Sequence, residues 1–210
     1  MENNNKMYNL FITSTNRYCY ARTMLGAPHT FAICTECGRK NIHFLPISEQ
    51  ASLLIEGGKR FPDFLSFGDV GQYFLVSDTV VSVFEANAVS GYYVEKALPV
   101  YREVRGELQK VDDIQYFLLK VIGKVDFDLK AMHLKKKCVC KSCGRFDWSI
   151  QKLSIVDTKL DMNTWDQCDI CRVSSSPGFI VCSEKVANLI NQKKLTGVYI
   201  QNEKDIFRNR

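Results

Sequence analysis

The sequence of 210 residues is 46% hydrophobic and 24% charged, which supplies a sizeable core and excludes a disordered chain. The net charge of +5 is mild, so nucleic-acid binding would require a local basic patch. No segment approaches the roughly 18–20 apolar residues of a membrane span. The N-terminal stretch MENNNKMYNLFITSTN also lacks the features of a signal peptide, so we predict a cytoplasmic protein.

The first half of the chain is predicted to contain a strand–helix–strand unit. A strand at residues 7–13 comes before it. Tyr73–Val76 is a short apolar run typical of a buried strand, and Ser77 is a good N-cap for a helix that follows. Gly91 is expected to take the left-handed conformation beyond the helix end, before a strand at Tyr92–Val94. The apolar face of the helix comprises Val80, Val83 and Phe84.

The second half repeats this order. A connection is predicted at residues 105–113, followed by a strand at 114–122. Further along, Phe179–Cys182 predicts a strand, Ser183 an N-cap and Val198–Ile200 the returning strand. The helical face between them comprises Val186, Leu189 and Ile190.

A shift of 106 residues aligns 34–104 with 140–210 without a gap, and we interpret the match as an internal duplication. The approach to each copy is also similar, at an offset of 108, between Tyr8–Phe11 and Tyr116–Leu119. The identical pairs are Cys34/Cys140, Cys37/Cys143, Gly38/Gly144, Arg39/Arg145, Ser48/Ser154, Leu54/Leu160, Asp63/Asp169, Ser77/Ser183, Val80/Val186, Gly91/Gly197 and Tyr93/Tyr199.

The duplication predicts an α+β fold built from two strand–helix–strand halves. We expect residues 1–106 to form the first half and residues 107–210 the second, each with one CxxCG copy, together in one compact unit. A structural zinc site is expected to join the halves.

Three CxxC pairs supply the candidate metal ligands. In a chain without a secretion signal, thiols at this spacing indicate metal or redox chemistry rather than disulfides. A structural Zn²⁺ takes four thiolates in a tetrahedron, so two pairs would form one closed site. The first pair is Cys34/Cys37, the second is Cys140/Cys143 and the third is Cys168/Cys171.

Two combinations of these pairs compete, and a chain without metal is the third alternative. The second and third pairs, 24 residues apart, would form a local site with the spacing of a zinc ribbon. The first and second pairs are corresponding points of the two halves, whereas the third pair aligns with Pro62 and Leu65. We therefore favour Cys34, Cys37, Cys140 and Cys143 as metal ligands, with Cys168 and Cys171 as the alternative pair.

Other polar residues have ordinary interpretations beside functional ones. Cys19 and Cys138 could supply thiolates to a second metal, whereas Cys182 is expected in the core. Three histidines lack ligand spacing and are interpreted as ordinary polar residues: His29, His43 and His133. A basic stretch could contact phosphate or simply be solvated, and comprises Lys130, Lys135–Lys137, Lys141 and Arg145.

The sequence contains no recognisable catalytic motif, so we expect a protein that is not an enzyme. Thioredoxin-like chemistry requires a CxxC at the start of a helix, but Gly and Arg follow the second cysteine in both CxxCGR copies. Walker A, GxSxG, GxGxxG and HExxH motifs are all missing from the sequence.

Two CxxCG motifs, the N-terminal MYNLFI and the ending WDQCDICRVSSSPGFIVCSEKVANLINQKKLTGVYI resemble the bacterial double-CXXCG motif family. The ending is also similar to related immunity proteins of polymorphic toxin systems. The resemblance implies a cytoplasmic protein that binds and neutralises a cognate toxin, with its motif cysteines at Cys34, Cys37, Cys140 and Cys143. Cys168 and Cys171 depart from the family pattern, which keeps the local site open.

The expected function is therefore that of an immunity protein with a structural zinc, whose partner is a cognate toxin rather than nucleic acid or a membrane. The alternative is a zinc-stabilised nucleic-acid-binding module that uses the Lys130–Lys141 stretch. A redox or metal-transfer protein is a third hypothesis. The sequence predicts neither the toxin nor an oligomeric state.

Overall fold

The computed structural model describes residues 6–12, 17–25, 29–38, 40–44, 51–66, 73–132, 135–140, 142, 145–149, 159–174 and 176–202. Within these ranges the chain forms sixteen strands and two α-helices, with a 3-10 turn at Met162–Thr164. The strands are β1 (Met7–Ile12), β2 (Cys19–Leu25), β3 (His29–Ile33), β4 (Lys40–Phe44), β5 (Ser52–Gly57), β6 (Phe64–Leu65), β7 (Tyr73–Val76), β8 (Tyr92–Val104), β9 (Glu107–Val121), β10 (Gly123–Phe127), β11 (Lys135–Cys140), β12 (Arg145–Ser149), β13 (Leu160–Asp161), β14 (Ile170–Val173), β15 (Ser176–Ser183) and β16 (Val198–Asn202). The helices are α1 (Asp78–Ala86) and α2 (Glu184–Lys193).

The α+β class predicted from the sequence is wrong, because the described chain is mostly β. Both strand–helix–strand units are present, at β7–α1–β8 and β15–α2–β16. They are a small part of the fold, since the two helices contain only 9 and 10 residues. The rest of the described chain pairs as strands, above all in the 13-residue β8 and the 15-residue β9.

The predicted connection at residues 105–113 is also wrong. Only Arg105 and Gly106 lie between β8 and β9, and both have positive φ, at 53° and 85°. Positive φ at both central residues is the geometry of a two-residue hairpin turn whose twist matches the strands it joins. The chain therefore continues as one antiparallel ribbon through the position where the sequence predicted a linker.

Two six-stranded sheets organise the fold, in the orders β2-β5-β8-β9-β7-β6 and β13-β10-β14-β15-β1-β16. Four neighbours correspond between them: β8-β9-β7-β6 in the first sheet and β16-β1-β15-β14 in the second. The N-terminal strand β1 thus occupies in the second sheet the place that β9 occupies in the first. Within the described residues, β1 of the predicted first half, 1–106, pairs with β15 and β16 of the predicted second half, 107–210.

The strand register corrects the predicted offset of 108 between the two approaches. Leu119 lies opposite Phe74, and Leu10 lies opposite Ile180, the counterpart of Phe74 at the offset of 106. Leu10 and Leu119 therefore correspond at an offset of 109. Because side chains alternate between the faces of a sheet, this slip of one residue decides which ones reach the core.

The two helices begin as the sequence predicted and end differently. Ser77 and Ser183 occupy the N-cap positions, and an acidic residue follows each, at Asp78 and Glu184. The helices do not end at glycines. Ala88 and Lys194 follow them with φ of 46° and 53°. The repeat glycines Gly91 and Gly197 come after these residues and also have positive φ, at 92° and 77°, as predicted for Gly91.

The largest hydrophobic core is shared by both halves. It lies where α1 and α2 pack with the two sheets, so residues from either side of position 106 bury one another. Removing this much apolar surface from water is the main source of stability. Its buried residues are Leu10, Phe64, Phe74, Val76, Val80, Val81, Phe84, Leu119, Val121, Ile170, Ile180, Cys182, Val186, Ala187, Ile190 and Leu195.

Candidate metal centre and the contacts between the halves

Each CxxCGR copy lies at the end of a two-stranded β-hairpin. β3 and β4 pair in the first hairpin, and Cys34 follows β3 directly. β11 and β12 pair in the second, where Cys140 is the last residue of β11. In the first loop Gly38 has a φ of 68°, and its amide donates to the Cys34 carbonyl at 2.9 Å. Glycine adopts this left-handed conformation without strain, so the loop can close tightly around the sulfurs.

The structure brings three of the four favoured cysteines together. The Sγ atoms of Cys34, Cys37 and Cys140 lie within 4.8 Å of one another. Cys34 Sγ and Cys140 Sγ are 3.7 Å apart, and both residues are buried, at 9% and 5% exposure. Two thiolates bound to one tetrahedral zinc at about 2.3 Å lie about 3.8 Å apart. The spacing therefore suits ligands of a shared metal ion.

Local hydrogen bonds favour the thiolate form of Cys34. The backbone amides of Cys37 and Glu36, in that order, donate to the Cys34 sulfur and lower the pKa of Cys34 to about 6. Burial opposes this shift, whereas hydrogen bonds with the Cys140 and Cys37 side chains assist it. The Cys140 thiol also donates to Glu36 Oε2 at 3.5 Å. At neutral pH the cluster thus presents a thiolate, which is the form that binds metals.

The third CxxC pair does not join this cluster. Among the described residues, no group of potential ligands combines Cys140 with Cys168 and Cys171. Cys171 is fully buried on β14 and packs with apolar neighbours that include Val125 and Val181. Burial is the main cause that raises the pKa of both thiols of this pair. A buried, protonated thiol acts as a small hydrophobic residue rather than as a ligand.

The remaining candidates lie in the core, on hairpin strands or outside the described residues. Cys182 is fully buried in the shared core, as expected, and Cys19 is buried in a core of the first half. Cys143 and His133 lie outside the described residues. Lys141 also lies outside the described residues, and Lys130 lies in a turn after β10. The other candidates lie on hairpin strands: His29 on β3, His43 on β4, Lys135–Lys137 and Cys138 on β11, and Arg145 on β12.

A second set of duplicated residues holds the two halves together. Asp63 accepts a hydrogen bond from the Ser77 hydroxyl at 2.9 Å within its own half. Its other carboxylate oxygen accepts from the backbone amide and the hydroxyl of Thr196, both at 2.8 Å. Ser77 therefore lies at the predicted N-cap position, but its hydroxyl binds Asp63 and makes no capping bond to α1.

Asp169, the counterpart of Asp63, has the corresponding contacts in the second half. The Ser183 hydroxyl donates to it at 2.8 Å, and Ser90 of the other half donates from its amide at 2.9 Å and its hydroxyl at 3.1 Å. Lys185 adds an ion pair at 3.1 Å. Burial alone would raise the pKa of Asp169, but the bonds from Ser90, Ser183 and Lys185 outweigh it and lower this pKa.

The repeated glycines belong to the same interface. A Cβ on Gly91 would lie 2.1 Å from the carbonyl oxygen of Ile170, and a Cβ on Gly197 would lie 2.1 Å from that of Phe64. Each glycine thus lets one half approach the backbone of the other. Gly91 has the positive φ predicted for it, at 92°, but its glycine is required by the approach of the other half rather than by the end of α1. The repeat identities marked these residues, yet their partners lie in the other half, where local sequence gives no signal.

No protein-family model matches the sequence, and no curated protein matches it. Across the described ranges, neither helix has the length and apolar character needed to cross a membrane.

Proposed function

We propose that this chain is a cytoplasmic, non-enzymatic immunity protein that binds and neutralises a cognate bacterial toxin. Its resemblance to the double-CXXCG motif family and to related immunity proteins supports the proposal. The structural observation that supports it most is the 3.7 Å separation of Cys34 Sγ and Cys140 Sγ. At this point the two motif copies on which the resemblance rests come together.

The metal that we propose for this point is a structural Zn²⁺. Thiolates are soft ligands, and closed sites of four cysteines are typical of structural zinc. Cys143 would supply the fourth thiolate, because it corresponds to Cys37 at the offset of 106. In this arrangement the protein presents no open coordination position, so the metal would stabilise the fold and perform no chemistry.

A shared zinc would act mainly on the stability of the chain. Its ligands come from hairpins 106 residues apart, so the ion would close a long loop. Cross-linking a loop of about 100 residues removes roughly 4–5 kcal/mol of chain entropy from the unfolded state in the simplest model. Loss of the ion should therefore lower stability throughout the molecule rather than only at the two loops.

Inhibition by occlusion requires a rigid surface and no catalytic group. A stable protein–protein interface buries about 800 Å² on each partner. This chain has 13185 Å² of accessible surface, so such an interface would cover only a small part of it. The cross-half contacts at Asp63 and Asp169, together with the metal, would keep that surface in one shape when the toxin binds.

Sequencing the genes beside this one tests the proposal first, since a cognate toxin is expected directly upstream, and co-expression with the C-terminal domain of that toxin tests it second. We expect the chain to restore growth of cells that produce this domain and to co-purify with it. A variant with Cys140→Ser should protect less well, because fewer molecules are folded. Cell death despite detectable amounts of both proteins would contradict the immunity function.

A zinc-stabilised nucleic-acid-binding module is the second candidate. Its candidate contacts include three consecutive lysines, Lys135–Lys137, which lie on β11, the strand that ends at Cys140. Binding through phosphate contacts would weaken steeply with salt. Retention of mixed-sequence DNA or RNA at about 50 mM salt, lost at about 200 mM, would support this candidate. No retention at low salt would eliminate it.

A further inference from the structure

Two clefts lie at corresponding places in the two halves, beside the N-terminal ends of α1 and α2. The first cleft has a volume of about 590 Å³ and the second of about 250 Å³. Corresponding residues line both: Asp63 and Asp169, Ser77 and Ser183, Asp78 and Glu184, Thr79 and Lys185. Because the chain contains both versions, the second cleft is an internal comparison for the first.

The second cleft contains its own ammonium group. Lys185 Nζ lies 3.1 Å from Asp169 Oδ2 and donates to the Ala88 carbonyl at 2.9 Å. Asp169 thus has three neutral donors, from Ser90 and Ser183, and one cationic donor. With Lys6 and Glu184 also in the lining, the formal charges of this cleft cancel.

The first cleft lacks the corresponding cation. Threonine occupies position 79 in place of lysine, and among the residues that the structure describes Asp63 accepts only from the neutral donors of Ser77 and Thr196. A carboxylate has about four acceptor positions, so one position on Asp63 remains for a further donor. The lining contains three carboxylates and one lysine, a net charge of −2, from Asp63, Asp78, Asp113 and Lys110.

We propose that the first cleft binds the side-chain ammonium of a lysine from a partner protein, at the place that Lys185 Nζ occupies in the second cleft. The acceptors would be Asp63 and the Lys194 carbonyl, the counterpart of the Ala88 carbonyl at the offset of 106. Phe61, Pro99 and Ile114 line the same cleft and can cover the alkyl part of the side chain. This site does not depend on the partner being a toxin.

Nuclear magnetic resonance of the full chain with Nα-acetyl-lysine-N-methylamide tests the site. We expect shifts of the amide signals of Asp63, Ser77 and Thr79, saturating at millimolar concentrations of this probe. The same compound acetylated on Nε, which has no charge, should cause no such shifts. Equal shifts with the acetylated compound, or none with the charged one, would overturn the proposal. Equal shifts with ammonium chloride would overturn its assignment to a lysine side chain.

Two reciprocal variants give the test its sharpest control. Thr79→Lys should fill the first cleft as Lys185 fills the second, abolish the response to the probe and raise Tm by about 2 °C. Lys185→Thr should lower Tm by a similar amount and create a response at Asp169 and Ser183. If the probe still shifted the amide signals of the first cleft in Thr79→Lys, the proposed correspondence would be wrong. It would also be wrong if the probe caused no shifts at Asp169 and Ser183 in Lys185→Thr.

Discussion

Replacing Asp169 by asparagine should weaken the contact between the halves by an amount that the structure allows us to work out. The Ser90 amide donates to Oδ2 at 2.9 Å, and the Lys185 ammonium lies 3.1 Å from the same atom. Asparagine can keep an oxygen at this position, but it lacks the negative charge that strengthens both contacts. A hydrogen bond to a charged group contributes about 1.5–3 kcal/mol. The Lys185 side chain is 43% exposed, so its ion pair adds less than about 1 kcal/mol.

The expected loss for Asp169→Asn is therefore about 3 kcal/mol at neutral pH, or roughly 9 °C in Tm for a chain of this size. The pKa of Asp169 in the folded protein lies below the ordinary value of 3.8 for an aspartate. Stability that depends on this carboxylate is hence complete well above pH 4 and disappears as pH falls through the folded pKa. The difference between wild type and variant should shrink accordingly between about pH 5 and pH 2.

Thermal and urea unfolding followed by circular dichroism at neutral and acidic pH would measure this difference. Asp112→Asn removes the same charge from an exposed position on β9, so it should change stability by less than about 0.5 kcal/mol. Equal effects of the two substitutions would refute the reasoning. A difference that stays constant down to about pH 2 would refute the role of the carboxylate charge.

Two further predictions concern the repeat glycines and the metal. Gly197→Ala places a Cβ against the Phe64 carbonyl and should lower the free energy of unfolding by at least about 3 kcal/mol. Gly106 also has positive φ but faces open space, so Gly106→Ala should lower it by about 1 kcal/mol in the same unfolding experiment. Equal losses in the two variants would contradict the close approach at Gly197. Cys34→Ser and Cys140→Ser should each lower both Tm and the zinc content found by mass spectrometry, whereas Cys168→Ser should retain the zinc. Loss of zinc in Cys140→Ser and Cys168→Ser but not in Cys34→Ser would favour the local site.

The internal repeat made much of the architecture predictable. Local apolar patterns indicated β7 and the start of α1 correctly, because both depend on residues close together in the sequence. The meeting of Cys34 with Cys140 could also be predicted, since equivalent loops of two related halves can converge on a pseudo-twofold axis. The fold class could not, because hairpins such as β8–β9 do not alternate clearly enough to be distinguished from linkers.

The contacts between the halves could be predicted from the sequence only in part. Asp63, Ser77 and Gly91 were found as repeat identities, and each was open to a local explanation such as a helix cap. Asp63 and Gly91 have partners about 80–130 residues away in the other half, for example Thr196 for Asp63. Ser77 instead binds Asp63 within its own half. The identities between the repeats therefore indicated which residues have a structural role. The contacts that these residues make become visible only once the two halves are packed together.

The place of β1 affects how the chain assembles during its synthesis. The first sheet uses strands from β2 to β9, a continuous stretch that can pair as soon as it leaves the ribosome. β1 is made before all of them, yet its neighbours β15 and β16 are the last strands of the described chain. β1 therefore remains unpaired until β15 has emerged, and its second neighbour is complete only at Asn202. A ribosome stalled before β15 would carry a finished first sheet and a second sheet that is still missing its centre.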